Sequence, residues 1–226
     1  MTSSRTRSLV SALALLVAAS SAQGVTLAPG VDTPLPGTTV AAEPQLAGIV
    51  LEDELVAFSM TTSLGVVTGQ IQSRVVRSDV DGTLDFYWRI FNDPNSADDV
   101  AFFRIGDFVA PEYEANWRID GLGDLSPVSA YRFTAPKESY VNFRFSRPAP
   151  VGGPEVGLAP GQSSNFLLLD TTATEYAKTA IQDVASFGTF SASELSATFA
   201  PIPEPSTLVL TVLGLLGLAR IGRRRA

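Results

Sequence analysis

The sequence predicts a mainly β protein: a single β-sandwich domain, Ig-like or jelly-roll-like in build, held between two short apolar ends. Three observations predict it. First, Leu84, Phe86, Trp88 and Ile90 alternate with Asp85, Tyr87, Arg89 and Phe91, which puts the first set on a core face of a strand. Val141, Phe143 and Phe145 alternate in the same way with Asn142, Arg144 and Ser146. Second, turn chemistry separates such runs, as at Asp81-Gly82, Asn92-Asp93-Pro94-Asn95 and Gly121-Leu122-Gly123. Third, the 226 residues contain no cysteine, so no disulfide framework holds the chain and a buried core must.

In chain order, Arg5 and Arg7 open a short basic region. Residues 9–19 are apolar but too short to span a bilayer, and Ser20-Ser21-Ala22 ends in small residues. That is the pattern of a signal peptide over 1–22, cleaved after Ala22 by signal peptidase. Residues 23–45 hold Pro29, Pro34, Pro36 and Pro44 with Gly24, Gly30 and Gly37, which suits an extended linker or an edge-hugging arm. Residues 46–200 make one domain of ordinary size without internal repeats. Strands are expected over 49–59, 66–77, 84–91, 100–108, 117–119, 131–133, 141–146, 164–169 and 195–199. One segment reads otherwise: Tyr176, Ala177, Ala180, Ile181 and Val184 after Thr174 and Glu175 have the spacing of a helical face.

At the C-terminus, Pro203-Glu204-Pro205 precedes an apolar run over 208–219, then Arg220 and Arg223-Arg224-Arg225. As a helix the run reaches about 18 Å, short of a hydrocarbon core near 30 Å. Extended to 206–222 with Arg220 snorkelling, it reaches about 25 Å, enough for a thin bilayer. The arginines favour the cytoplasmic side, which leaves the Pro-Glu-Pro tripeptide outside. This order resembles the PEP-CTERM sorting signal of exopolysaccharide-producing Gram-negative bacteria. The resemblance implies processing by an exosortase, an integral membrane Cys protease. A plain C-terminal anchor is the alternative. The stretch 82–92, with Gly161-Gln162-Ser163-Ser164 and 170–176 downstream, is similar to sandwich domains found ahead of many such tails. That likeness implies an exported β-rich body and supplies no catalytic residue. The tail family also carries an ice-binding label, but Thr171-Thr172-Ala173-Thr174 is a single short cluster, not the repeated Thr ranks of an ice-binding face.

The chain carries a net charge of −7, and residues 23–200 alone, with ten Lys plus Arg against 22 Asp plus Glu, carry −12. Such a body opposes nucleic acid phosphates. With no His and no Cys, Ser-His-Asp and Cys-His catalysis and His- or thiolate-based zinc sites are excluded. Lys137 and Lys178 lack a Ser-x-x-Lys setting. A glycosidase needs only two carboxylates, but nothing selects a pair among Asp85, Asp107, Glu112, Glu114 and Asp120. Asp79, Asp81 and Asp85 around Gly82 offer oxygen ligands for calcium, although the series is one member short of an EF-hand loop and Asp-Gly is equally a hairpin signal. Glu52-Asp53-Glu54 reads as a solvated or turning stretch. Tyr87, Tyr113, Trp117, Tyr131 and Tyr140 are either core or a glycan platform. Arg89, Arg104, Arg118, Arg132 and Arg144 are expected to pair with acids across the sheets. The sequence therefore reads as an exported, non-enzymatic protein of the cell envelope or exopolysaccharide matrix, anchored transiently in the membrane before reaching the cell surface or extracellular matrix. The alternatives are a carbohydrate- or calcium-binding adhesion module and a carboxylate-dependent glycosidase.

Overall fold

The computed structural model describes residues 24–110, 112–136, 139–146, 155–187 and 191–202. The expected signal peptide with Ala22, the Pro203-Glu204-Pro205 motif, the helix over 206–222 and Arg220, Arg223, Arg224 and Arg225 lie outside these residues.

The alternating runs fold into two antiparallel sheets, each of six strands. The first contains β1 (Val25–Thr26), β3 (Gly48–Thr62), β4 (Gly65–Ser78), β5 (Leu84–Asn92), β7 (Tyr113–Trp117) and β10 (Leu167–Thr171), in the order β1-β7-β10-β5-β4-β3. The second contains β2 (Asp32–Pro34), β6 (Phe102–Gly106), β8 (Ser129–Arg132), β9 (Val141–Arg144), β11 (Tyr176–Ala185) and β12 (Ser196–Pro201), in the order β12-β11-β6-β9-β8-β2. Strands β3, β4 and β5 are sequential hairpins. The Asp-Gly turn closes the second of them, with Gly82 at a φ of 76° that an L side chain would resist and its N–H bonded to the Ser78 carbonyl.

The faces assigned from alternation pack between the sheets. Leu84, Phe86, Trp88 and Ile90 from β5 meet Phe103, Ile105, Val141 and Phe143 from the second sheet, all buried in one cluster. Phe86 and Phe108 meet edge to face at 5.3 Å, a geometry aromatic quadrupoles favour. One polar chain crosses this core: Trp88 Nε1–H donates to Thr198 Oγ1 at 2.9 Å, Thr198 contacts Ser73 Oγ, and Ser73 donates to Gln182 Oε1 at 3.0 Å.

Two expectations are corrected. The helix read over 176–184, after Thr174 and Glu175, is strand β11. A spacing of four residues, as in Ala180 and Val184, fits period two as well as a helical face, and a bulge between Ala177 and Ala180 rephases the strand so that these two enter the core. The expected strand over 117–119 lies earlier, at Tyr113–Trp117.

Residues 24–45 hug the edges. Strand β1 pairs with β7 and β2 with β8, and a 3-10 turn at Pro44–Leu46 then crosses the outer face of the first sheet. Leu46 is buried there with Val76, Tyr87, Phe166 and Leu168, and Tyr87 Oη–H donates to its carbonyl at 3.0 Å. This second small core is why the outer face of β5 carries Tyr87 between Asp85 and Arg89. At the opposite edge, β3 runs with one side unpaired among the described residues. Glu52, Asp53 and Glu54 belong to this strand, with Asp53 bonded to Arg74 at 2.7 Å and Glu54 to Lys178 at 2.6 Å, and charges there discourage edge-to-edge aggregation.

Candidate functional site

Sheet register, which no local sequence pattern reveals, creates the most unusual chemistry of the molecule. Asp170 of β10 lies opposite Asp85 of β5 on one side and Glu114 of β7 on the other. Three carboxyls thus form one row across three neighbouring strands on the outer face of the first sheet. Side chains directly opposite stand roughly 5 Å apart, where like charges repel. The arm crossing this face adds Glu43, whose Oε1 accepts from the Gly24 N–H at 2.6 Å and whose buried Oε2 has no partner among the described residues.

Asp85 is 0% exposed, and its carboxyl shares a side-chain hydrogen bond with the Asp170 carboxyl opposite. Burial first, and then the Asp170 carboxyl opposite, push its pKa up to about 9. Asp170 is also raised, chiefly by burial, while hydrogen bonds from Asp85 and then from Gln45 on the arm oppose the rise. Glu114 is raised by burial, by Asp170 and by Glu43. Asp85 is therefore a neutral acid at ordinary pH. Beside the row opens a cleft of about 620 Å³ lined by Asp81, Glu112, Glu114, Asp170, Thr83 and Arg132 among others.

The three residues read from sequence as calcium ligands differ in exposure. Asp79 and Asp81 are exposed in the turn, whereas Asp85 is sealed beneath the arm. Asp81 Oδ1 is occupied by the Thr83 N–H at 3.0 Å and the Thr83 hydroxyl at 2.6 Å, and the hydroxyl bond leads in holding its pKa below the usual carboxylate range. Among the described residues no group of three or more Asp or Glu is disposed to hold a metal ion.

Of the carboxylates considered for a glycosidase, Glu112 and Glu114 line the same cleft, Asp85 is closed to substrate, and Asp120 bonds Arg118 at 2.6 Å. The aromatics divide. Tyr87 and Tyr113 are buried, whereas Trp117, Tyr131 and Tyr140 are partly exposed. Among the arginines, Arg104 pairs with Asp183 across β6 and β11, and Arg144 with Asp32 at 3.3 Å. Arg118 finds its acid only two residues away. Arg89 instead bonds Ser163 and Ser164 and stacks on Phe91, and Arg132 lies over the Tyr113 ring.

Set against known proteins, the chain matches no family model, no curated protein and no solved structure. Among the described residues no helix is long and apolar enough to cross a membrane.

Proposed function

We propose that this is an exported, non-enzymatic protein of the cell envelope or exopolysaccharide matrix, an Ig-like or jelly-roll-like sandwich delivered by a C-terminal PEP-CTERM signal that an exosortase processes. The observation that carries the reading is the order of the tail: Pro203-Glu204-Pro205, a short apolar run, then Arg220 and Arg223-Arg224-Arg225. The body is compatible with it. Among the described residues the last strand, β12, ends at Pro201, and the Ile202 N–H bonds the Glu175 carbonyl at 3.0 Å. Cleavage at the tripeptide would therefore leave every strand of both sheets intact. An acidic body of −12 suits solubility outside the cell.

The test is the mass of the mature protein from the envelope and culture supernatant of its native host, beside Glu204→Ala. Loss of everything after about residue 205 in wild type, with the arginines retained in the variant, is the expected result. A wild-type protein that keeps Arg223 to Arg225 would make the tail a permanent anchor and remove the exosortase from the account.

A further inference from the structure

The outer face of the second sheet has a different character from the acidic row. One line of side chains runs across it as Asp183, Arg104, Asn142, Tyr131 and Asp32, from β11, β6, β9, β8 and β2. In the next line Ile181 lies opposite Gly106, beside Tyr140 and Phe133, whose N–H bonds the Tyr140 carbonyl at 3.1 Å. Together they border a groove of about 290 Å³ with Leu195 at its rim.

Gly106 shapes this groove. A Cβ there would stand 2.6 Å from Tyr140 Cε1 and 2.9 Å from Ile181 Cγ1, so only a glycine lets the tyrosine ring settle onto the strand between them. Tyr140 and Phe133 remain half-buried, with ring surface left to solvent. The polar groups are fixed as firmly. Arg104 grips both Asp183 oxygens through Nε and Nη2, and hydrogen bonding to Asp183 raises the arginine pKa. Among the described residues the Arg104 Nη1, the Asn142 amide and the Tyr131 and Tyr140 hydroxyls make no hydrogen bond.

Charge selects the ligand. Arg104 is balanced by Asp183 and Arg144 by Asp32, so the charges that line this groove cancel in pairs on a chain of −7. An anionic ligand would meet no spare cation, and a cation no spare carboxylate. What fits is a neutral molecule with one apolar face and many hydroxyls, laid on aromatic carbon and met by oriented donors and acceptors. We infer that the groove binds pyranose units of a neutral polysaccharide. Tyr140 and Phe133 lie under the sugar ring, and Arg104, Asp183 and Asn142 meet its hydroxyls. The inference deepens the matrix reading and rests on it for where the ligand is met; its readout is independent of tail processing.

The test is affinity electrophoresis of the full-length protein through native gels containing a neutral glucan, a neutral mannan or, as a polyanion, alginate. Asn142→Ala and Tyr140→Ala are run beside wild type, with Arg74→Ala on the other sheet as a control. Retardation by a neutral polymer, weakened about tenfold in each groove variant and unchanged in the control, is the expected result. Thermal melts matching wild type show that the groove variants remain folded, and Asn142→Asp, which adds charge with little change of shape, should also weaken binding. Retardation by alginate alone, by no polymer, or equally in all variants would overturn the inference, whatever the mass of the mature tail.

Discussion

Asp85 and Asp170 lie directly opposite each other on β5 and β10, two acids in register with Glu114 completing the row. A sheet normally avoids this arrangement, because facing like charges cost stability. The fold accommodates it by burying Asp85 until it holds its proton. Arg118 provides some opposing positive potential, but burial and Asp170 outweigh it.

The first prediction is a pH dependence. In the unfolded chain Asp85 titrates near the ordinary carboxylate value, about 4, whereas folded it titrates at about 9. The folded state therefore holds one more proton between those values, and stability falls as pH rises through the window. Asp170 and Glu114, also raised, add slope of the same sign. Asp85→Asn has no proton to lose. Its melting temperature should exceed that of wild type by a margin that widens from pH 5 to pH 9; a constant margin would show that Asp85 ionises normally.

The arm is the second. Leu46 is 2% exposed in the small outer core, and its replacement by alanine should cost about 2–5 kcal/mol if the arm unfolds with the body. If instead the arm detaches alone, Leu46→Ala should leave the global denaturation midpoint nearly unchanged while accelerating amide exchange at Gly24 and Thr38. Either result assigns the arm, and chemical denaturation monitored beside hydrogen exchange separates them.

Much of the sandwich was legible from short-range pattern alone, and the limits of that pattern are physical. Strand β5 could be read because Leu84 to Ile90 alternate between two unlike environments, and β3 and β4 because a long hairpin repeats the same signal. Strand β11 could not, since spacings of four satisfy two periods and the bulge at Ala177 hides the phase. Strands β1 and β2 are too short to alternate. The acidic row was invisible for another reason. Asp85 and Asp170 are far apart in sequence, and only strand order makes them neighbours. The groove depends likewise on Gly106 of β6 meeting Tyr140, just ahead of β9, a long-range contact that no local motif encodes.

Gly123 supplies a third prediction. Its φ is 148°, and a Cβ there would come within 2.4 Å of the Ser164 carbonyl oxygen and the Asn165 nitrogen. Both obstacles are backbone, so neither can rotate away. Gly123→Ala should destabilise the protein by more than the roughly 1 kcal/mol of an unfavourable dihedral alone. Gly82→Ala, where φ is 76° but nothing stands within 4 Å, isolates the dihedral cost. Denaturation midpoints for the pair should place Gly123→Ala well below Gly82→Ala, and equal midpoints would mean the loop at Gly123 yields freely.

The last prediction concerns the polar chain through the core. Thr198 Oγ1 accepts from Trp88 Nε1–H and reaches Ser73, whose hydroxyl is anchored on Gln182, and all four residues are buried. Thr198→Val keeps the branched shape of the side chain but removes the acceptor, stranding the indole N–H in an apolar interior. A buried donor without a partner costs about 1–3 kcal/mol. Trp88→Phe in the Thr198→Val background removes that donor too. Through this deleted interaction the double variant should be less unstable than the two single losses summed, so a double-mutant cycle gives a coupling energy of about 1 kcal/mol or more. Strict additivity would show that water replaces the threonine and that the chain of hydrogen bonds does not clamp the two sheets together.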